Sequence, residues 1–162
     1  MDAVVLPGVG NFKAGSGNLK VLRGDLVRMV GAEMPILGVC LGMQLLFEES
    51  EESPGQGLDL LKGRVLRLPK HVKTPHMGWN TLNISKPNTL LEGVNGNDYF
   101  YFVHSYFTSP LDEDVVLART DYGLSFASVV AKMNVFGTQF HPEKSGKPGE
   151  RVLHNFAKII KG

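Results

Sequence analysis

A chain of 162 residues, 43% of them hydrophobic and 20% charged, is long enough to bury a core that needs no covalent staples. Its net charge of +1 is spread along the chain and offers no surface for nucleic acid, and a single cysteine permits no intrachain disulfide, which fits a reducing, cytoplasmic compartment. No apolar run approaches the roughly 20 residues of a membrane span, and no signal sequence precedes the first apolar segment.

That segment, Asp2-Ala3-Val4-Val5-Leu6, reads as a buried strand and leads into the glycine-rich loop Pro7-Gly8-Val9-Gly10. A second glycine-rich stretch covers residues 11–18. Leu19, Leu22, Leu26, Met29 and Val30 then recur at three- and four-residue spacing, which predicts a helix with one apolar face. Residues 35–39 read as the next strand and 41–49 as the next helix. This alternation is the signature of βα units and a parallel sheet. The acidic stretch 48–57, with Pro54, Gly55 and Gly57, is expected as a solvent loop. Beyond Gly63 the pattern changes to strands at 64–68, 81–84, 99–107, 115–120 and 126–132, joined by short turns that favour antiparallel neighbours. Residues 135–140 form a last buried strand, and a helix after Pro148 carries Val152, Leu153, Phe156, Ile159 and Ile160 on one face. The expected fold class is α/β: an open, mostly parallel sheet flanked by helices, with an antiparallel portion, in one domain over residues 1–162.

Chemistry concentrates at two strand ends. The lone cysteine sits in Gly38-Val39-Cys40-Leu41-Gly42, where a strand ends and a helical pattern begins. That arrangement reads as a nucleophile elbow, a sharp turn in which glycines on either side leave room for backbone and substrate. A thiol at the first turn of a helix is expected to gain thiolate character from the helix dipole. A cysteine nucleophile needs a base, and the base needs an orienting group. His141-Pro142-Glu143, just past the last strand, offers both: His141 to take the thiol proton and Glu143 to fix its tautomer. Reactive groups of open α/β sheets gather at the carboxyl ends of strands, which supports pairing Cys40 with His141. The Leu41 amide and the Pro7–Gly10 loop are the candidate oxyanion donors. Among the other histidines, His71 and His76 flank Thr74-Pro75 in an expected loop and His154 falls on the polar side of its helix, so neither a metal site nor a cofactor is expected.

Gly38-Val39-Cys40-Leu41-Gly42-Met43-Gln44, taken with Gly137-Thr138-Gln139-Phe140-His141-Pro142-Glu143-Lys144-Ser145, resembles the class I (triad) glutamine amidotransferases, which release ammonia from glutamine through a glutamyl thioester. Pro7-Gly8-Val9-Gly10-Asn11-Phe12, Pro75-His76-Met77-Gly78-Trp79-Asn80 and Phe102-Val103-His104-Ser105-Tyr106-Phe107 narrow the resemblance to the glutaminase-subunit branch of the imidazole glycerol phosphate synthases. The resemblance covers nearly the whole chain. It implies Cys40 as nucleophile, His141 as base and Glu143 as its orienter. It further implies that Gly10, Leu41, Gln44, His104, Ser105 and Tyr106 serve the oxyanion and the L-glutamine head group. Trp79, Tyr101 and Lys144 are implied to face a cyclase subunit of (β/α)₈-barrel type, which forms a heterodimer with the glutaminase and receives the ammonia in histidine biosynthesis.

Members of this branch carry a further strand and helix, roughly forty residues, before the first strand seen here, against about 30 or more for a βαβ unit. The expectation is an N-terminally truncated fold or a mis-assigned start, with residues 2–6 left as an exposed sheet edge. Two other readings stay open at this point: a free-standing cysteine hydrolase of α/β-hydrolase type, which normally places its acid before the histidine, and a non-catalytic binding module.

Overall fold

The computed structural model describes residues 2–8 and 10–162. Val9 of the first glycine-rich loop therefore lies outside the described residues.

Among these, a six-stranded sheet forms the centre. It contains β1 (Val4–Leu6), β2 (Ile36–Val39), β6 (Asn83–Ile84), β9 (Val116–Asp121), β10 (Ser125–Lys132) and β11 (Val135–Thr138), in the order β1-β2-β11-β10-β9-β6. β1, β2 and β11 are parallel, and the pairs beyond β11 are antiparallel. The antiparallel portion is thus larger than the sequence suggests, because β9, β10 and β11 run on through turns too short for a crossover. β1 lies at the sheet edge with Val5 exposed.

Alternation along β2 separates the two faces. Ile36 packs with Phe12, Leu26 and Val30 beneath α1 (Phe12–Leu19) and α2 (Arg23–Gly31), while Leu37 and Val39 join Val152 and Phe156 of α4 (Gly146–Lys161) on the opposite side. The periodic stretch expected as one helix is divided between α1 and α2, and the glycine-rich residues after Asn11 are helical. Asn11 caps α1 by accepting from the Ala14 amide at 2.8 Å, and Glu52 accepts from Phe12 N at 2.8 Å. The acidic loop therefore does more than meet solvent: its carboxylate satisfies an open helix N-terminus.

Three further departures have identifiable causes. The helix after the elbow, α3 (Leu41–Gln44), is one turn long. The carbonyls of Leu45, Leu46 and Phe47 accept instead from the amides of Leu58, Leu60, Leu61 and Asp59, and Leu45–Phe47 are wholly buried. The chain then enters β3 (Glu49–Ser50), which pairs with β4 (Gly63–Arg67). The long strand expected over 99–107 breaks at Ser105 into β7 (Phe100–His104) and β8 (Tyr106–Pro110). β8 joins β4, and β7 joins β5 (His76–Asn80). In place of the expected loop, then, His76 and its neighbours lie in a strand. No helix among the described residues is long and apolar enough to cross a membrane.

Candidate active site

The elbow is confirmed by its own strain. Cys40 follows β2 with φ 54° and ψ −110°, a left-handed conformation that a residue with a Cβ adopts only when its surroundings dictate it. Both flanking glycines are required sterically. A Cβ on Gly42 would stand 1.8 Å from the Leu6 carbonyl oxygen, and one on Gly38 would stand 2.5 Å from that of Gly42. The Cys40 amide donates to Thr138 O at 2.8 Å, so the cysteine is tied to the neighbouring parallel strand β11. Three residues past that strand comes His141, on whose far side Pro142, Glu143 and Lys144 form a short 3₁₀ turn. The two strand ends picked out in the sequence are therefore adjacent in space.

His141 is buried, and its Nδ1 lies 2.9 Å from Glu143 Oε2, while Glu143 itself is about half exposed. The carboxylate accepts, so Nδ1 carries the proton and Nε2 is the free lone pair. That nitrogen is buried with no hydrogen-bond partner among the described residues. The ring's backbone is fixed as well: His141 N donates to Tyr101 O at 3.0 Å, and Ser145 Oγ bridges from its own donation to His141 O to an acceptance from Tyr101 N. A base with its tautomer set, its ring held and its acceptor nitrogen empty is the arrangement proton abstraction needs.

The thiol is engaged elsewhere. Cys40 Sγ lies 3.6 Å from Val103 O on β7, to which it donates, and 3.6 Å from Gln139 Nε2, from which it accepts. Burial pushes its pKa up to about 11, opposed by the Leu41 amide and by the Gln139 side chain. This departs from the expected helix-dipole activation: α3 is a single turn, and desolvation of the thiolate outweighs what one turn offers.

The remaining candidates fall around this centre. The Leu41 amide borders the sulfur, and Gly8 packs against the Leu41 side chain, which brings the first loop to the elbow. Gly10 is exposed with φ 107°. Buried Gln44 donates from Nε2 to Tyr106 O (3.1 Å) and to Gln139 Oε1 (3.3 Å), so its own oxygen is the atom left for a ligand. His104 is buried, with Nδ1 2.9 Å from Tyr106 O and Nε2 3.0 Å from His76 Nδ1, and Ser105 is half-buried at the break between β7 and β8. Trp79 and Tyr101 stand edge to face, centroids 5.7 Å apart, on the outer face of the β5–β7 ribbon, and Lys144 is exposed beside His141. Gln139 and Ser145 are site residues that the motifs leave unassigned; a polar pair, Thr138-Gln139, inside an apolar strand is the available signal.

Residues 1–160 match the family model for class-I glutamine amidotransferases. The chain belongs to this family. It is 51% identical over 160 residues to the imidazole glycerol phosphate synthase subunit HisH of Methanocaldococcus jannaschii, covering 98% of this chain and 81% of that protein. It is 52% identical over 161 residues to the HisH subunit of Methanothermobacter thermautotrophicus, covering 99% and 80%. Among solved structures, one described as a glutamine amidotransferase superposes with a TM-score of 0.76 at 23% identity, covering 100% of this chain and 80% of the other. A glutamine amidotransferase from Thermotoga maritima gives 0.67 at 18% identity, covering 98% and 63%. At such identities these last two establish the shared α/β amidotransferase fold.

Proposed function

We propose that the chain is the glutaminase subunit of an imidazole glycerol phosphate synthase. In this reading it hydrolyses L-glutamine to glutamate and ammonia and hands the ammonia to a cyclase subunit of (β/α)₈-barrel type. One glutamine amidotransferase domain over residues 1–162, acting in the cytoplasm without a cofactor, performs the half-reaction as part of a heterodimer. The observation that carries the reading is His141: its ring is oriented by Glu143, its buried Nε2 has no hydrogen-bond partner among the described residues, and it follows β11, the parallel neighbour of the strand that leads into the elbow cysteine.

The steps follow from that geometry. The Cys40 thiol turns from the Val103 carbonyl to His141, which takes its proton, and the sulfur attacks the carboxamide carbon of glutamine. The negative charge on the resulting tetrahedral centre is received by the Leu41 amide and the backbone at Gly10. Protonated His141 gives its proton to the leaving nitrogen, ammonia departs, and a glutamyl thioester remains on Cys40. Water, deprotonated by His141, then releases glutamate and restores the thiol. The Gln44 oxygen and the segment His104, Ser105 and Tyr106 hold the α-amino and α-carboxylate groups. Trp79, Tyr101 and Lys144 face the cyclase; the support is an aromatic pair whose tryptophan is 56% exposed, next to the strand carrying Val103.

Glutamine- and ammonia-dependent turnover, measured with a cyclase subunit present, tests the assignment. Cys40→Ala abolishes the first and leaves the second intact; loss of both makes the residue structural. His141→Ala is expected to lower kcat further than Glu143→Gln by roughly 10–100-fold, and the reverse order refutes the two roles.

A further inference from the structure

The nucleophile has a neighbour to which the catalytic scheme gives no task. Gln139 is fully buried at the end of β11, one residue past the strand and two before His141, and its amide nitrogen is 3.6 Å from Cys40 Sγ. We propose that Gln139 is a positioning residue for the nucleophile, its side-chain amide holding the Cys40 sulfur by a hydrogen bond that strengthens when the sulfur is a thiolate. The proposal rests on the reading of Cys40 as the nucleophile.

The direction of that hydrogen bond is fixed by its surroundings. The Tyr106 carbonyl can only accept, and His104 Nδ1 already donates to it at 2.9 Å. Gln44 therefore presents Nε2, not Oε1, to the same carbonyl at 3.1 Å. The second hydrogen of that nitrogen faces Gln139 at 3.3 Å, where only an oxygen answers it. Gln139 Oε1 takes this place, and Nε2 is turned to the sulfur. A flipped Gln139 would set two donors against each other and an oxygen against the thiolate.

The chain of constraints continues outward. With a proton on Nδ1, neutral His104 offers Nε2 as acceptor to His76 Nδ1 at 3.0 Å, and His76 Nε2 faces Asn80 Nδ2 at 3.3 Å. Every donor along this row meets an acceptor. The charged and titratable groups around the sulfur do not duplicate the effect. Glu143 and Lys144, from the turn after β11, act on it with opposite signs. Gln139 and the Leu41 amide are the donors that lower the Cys40 pKa, against the burial that raises it. At a sulfur this buried, a donor aimed at it favours the charged form over the neutral one.

The test reads the thiol itself. The rate of Cys40 alkylation by iodoacetamide is followed against pH in the unmutated chain, in Gln139→Met, which keeps volume and removes the donor, and in Gln139→Glu, which replaces the donor with an acceptor. The expected result is a midpoint moved to higher pH in Gln139→Met and moved further in Gln139→Glu. Below the midpoint, alkylation slows about tenfold for every pH unit by which the midpoint rises. Profiles that superpose in folded variants overturn the role, since a merely structural residue leaves the midpoint where it was. Should Gln139→Met fail to fold, the unmutated chain decides: the Gln139 side-chain amide resonance is expected to titrate with the thiol, and a resonance that ignores the thiol overturns the proposal. A glutamine-like diazoketone separates the two readings. Failure to label unmutated Cys40 removes the nucleophile, whereas labelling together with superposed profiles removes only the part played by Gln139.

Discussion

A residue with a Cβ at φ 54° is held there by what surrounds it, and the two glycines flanking Cys40 are the tightest part of that frame. Gly42 lies under the end of β1, against the Leu6 carbonyl, so Gly42→Ala has to displace backbone and not a yielding side chain. We expect this one methyl group to cost about 3 kcal/mol, at the upper end of overpacking effects, and to lower the melting temperature by roughly 6–12 °C. Gly17→Ala is the matching control: it lies inside α1, an added Cβ meets nothing within 4 Å, and the substitution should leave the melting temperature unchanged or raised. Equal effects of the two substitutions in a thermal melt refute the steric account. These glycines, Cys40, His141 and Glu143 are all legible in the sequence, because an elbow and a strand-end histidine are local patterns. The resting partners of the sulfur are not. Val103 is 63 positions from Cys40 and Gln139 is 99, and the orientation of the Gln139 amide depends on two further residues.

At the scale of elements, Cys40 and His141 are brought to one edge of the sheet by parallel register. Val39 sits opposite Thr138, so the residues that follow β2 and β11 emerge side by side at one edge of the sheet. The carboxyl-end rule anticipates this from sequence, and the apolar runs mark β2 and β11 to within a residue or two. Sequence pattern is blind where backbone groups find distant partners: α3 stops after one turn because loop amides claim the next carbonyls. β5 escapes it because buried His76 and Asn80 interrupt any apolar alternation. The turn that carries Glu143 leads into α4, and α4 is anchored by Asn155. That side chain is fully buried and donates to Leu90 O at 2.9 Å and Glu92 O at 2.8 Å, closing the 3₁₀ turn Thr89–Leu91 onto the helix. Asn155→Leu strands the buried Leu90 carbonyl and takes the donor from the part-buried Glu92 carbonyl while relieving the unpartnered Asn155 Oδ1, so a net loss of about 2 kcal/mol is expected in urea unfolding. The neighbouring ion pair of Lys158 with Glu92, at 3.6 Å and largely exposed, should contribute under about 0.5 kcal/mol when Lys158 is replaced by Ala. If Lys158→Ala proves the more damaging of the two, α4 is held by charge and not by its buried amide.

For the molecule as a whole, the decisive feature is that the β5–β7 ribbon is joined to the central sheet through two neutral histidines. His76 stacks between Phe102 (centroids 4.9 Å apart) and Tyr122 (3.9 Å), and His104 meets Phe126 edge-on at 5.0 Å. Burial lowers their pKa values to about 4 for His76 and about 3 for His104. A proton on either ring also breaks the row of donors, because His104 Nε2 is needed as the acceptor for His76 Nδ1. In the unfolded chain both rings take up protons near pH 6.5. Between that pH and about 4 the unfolded state binds protons that the folded state refuses, so stability falls as the solution is acidified through this window and is full above it. The loss should be on the order of a few kcal/mol by pH 4, since each pH unit separating the folded and unfolded pKa values is worth about 1.4 kcal/mol. Urea midpoints measured from pH 8 downward, about 1.5 units above the ordinary histidine value, check the sign and the window. The exposed His154 supplies the internal comparison: His154→Gln should follow the unmutated curve, and His76→Gln should flatten it while lowering its upper plateau. A midpoint that holds steady through the window means that the two rings are protonated as easily in the folded chain as in the unfolded one. The ribbon that bears Val103, Trp79 and Tyr101 would then have to be held to the sheet by packing alone.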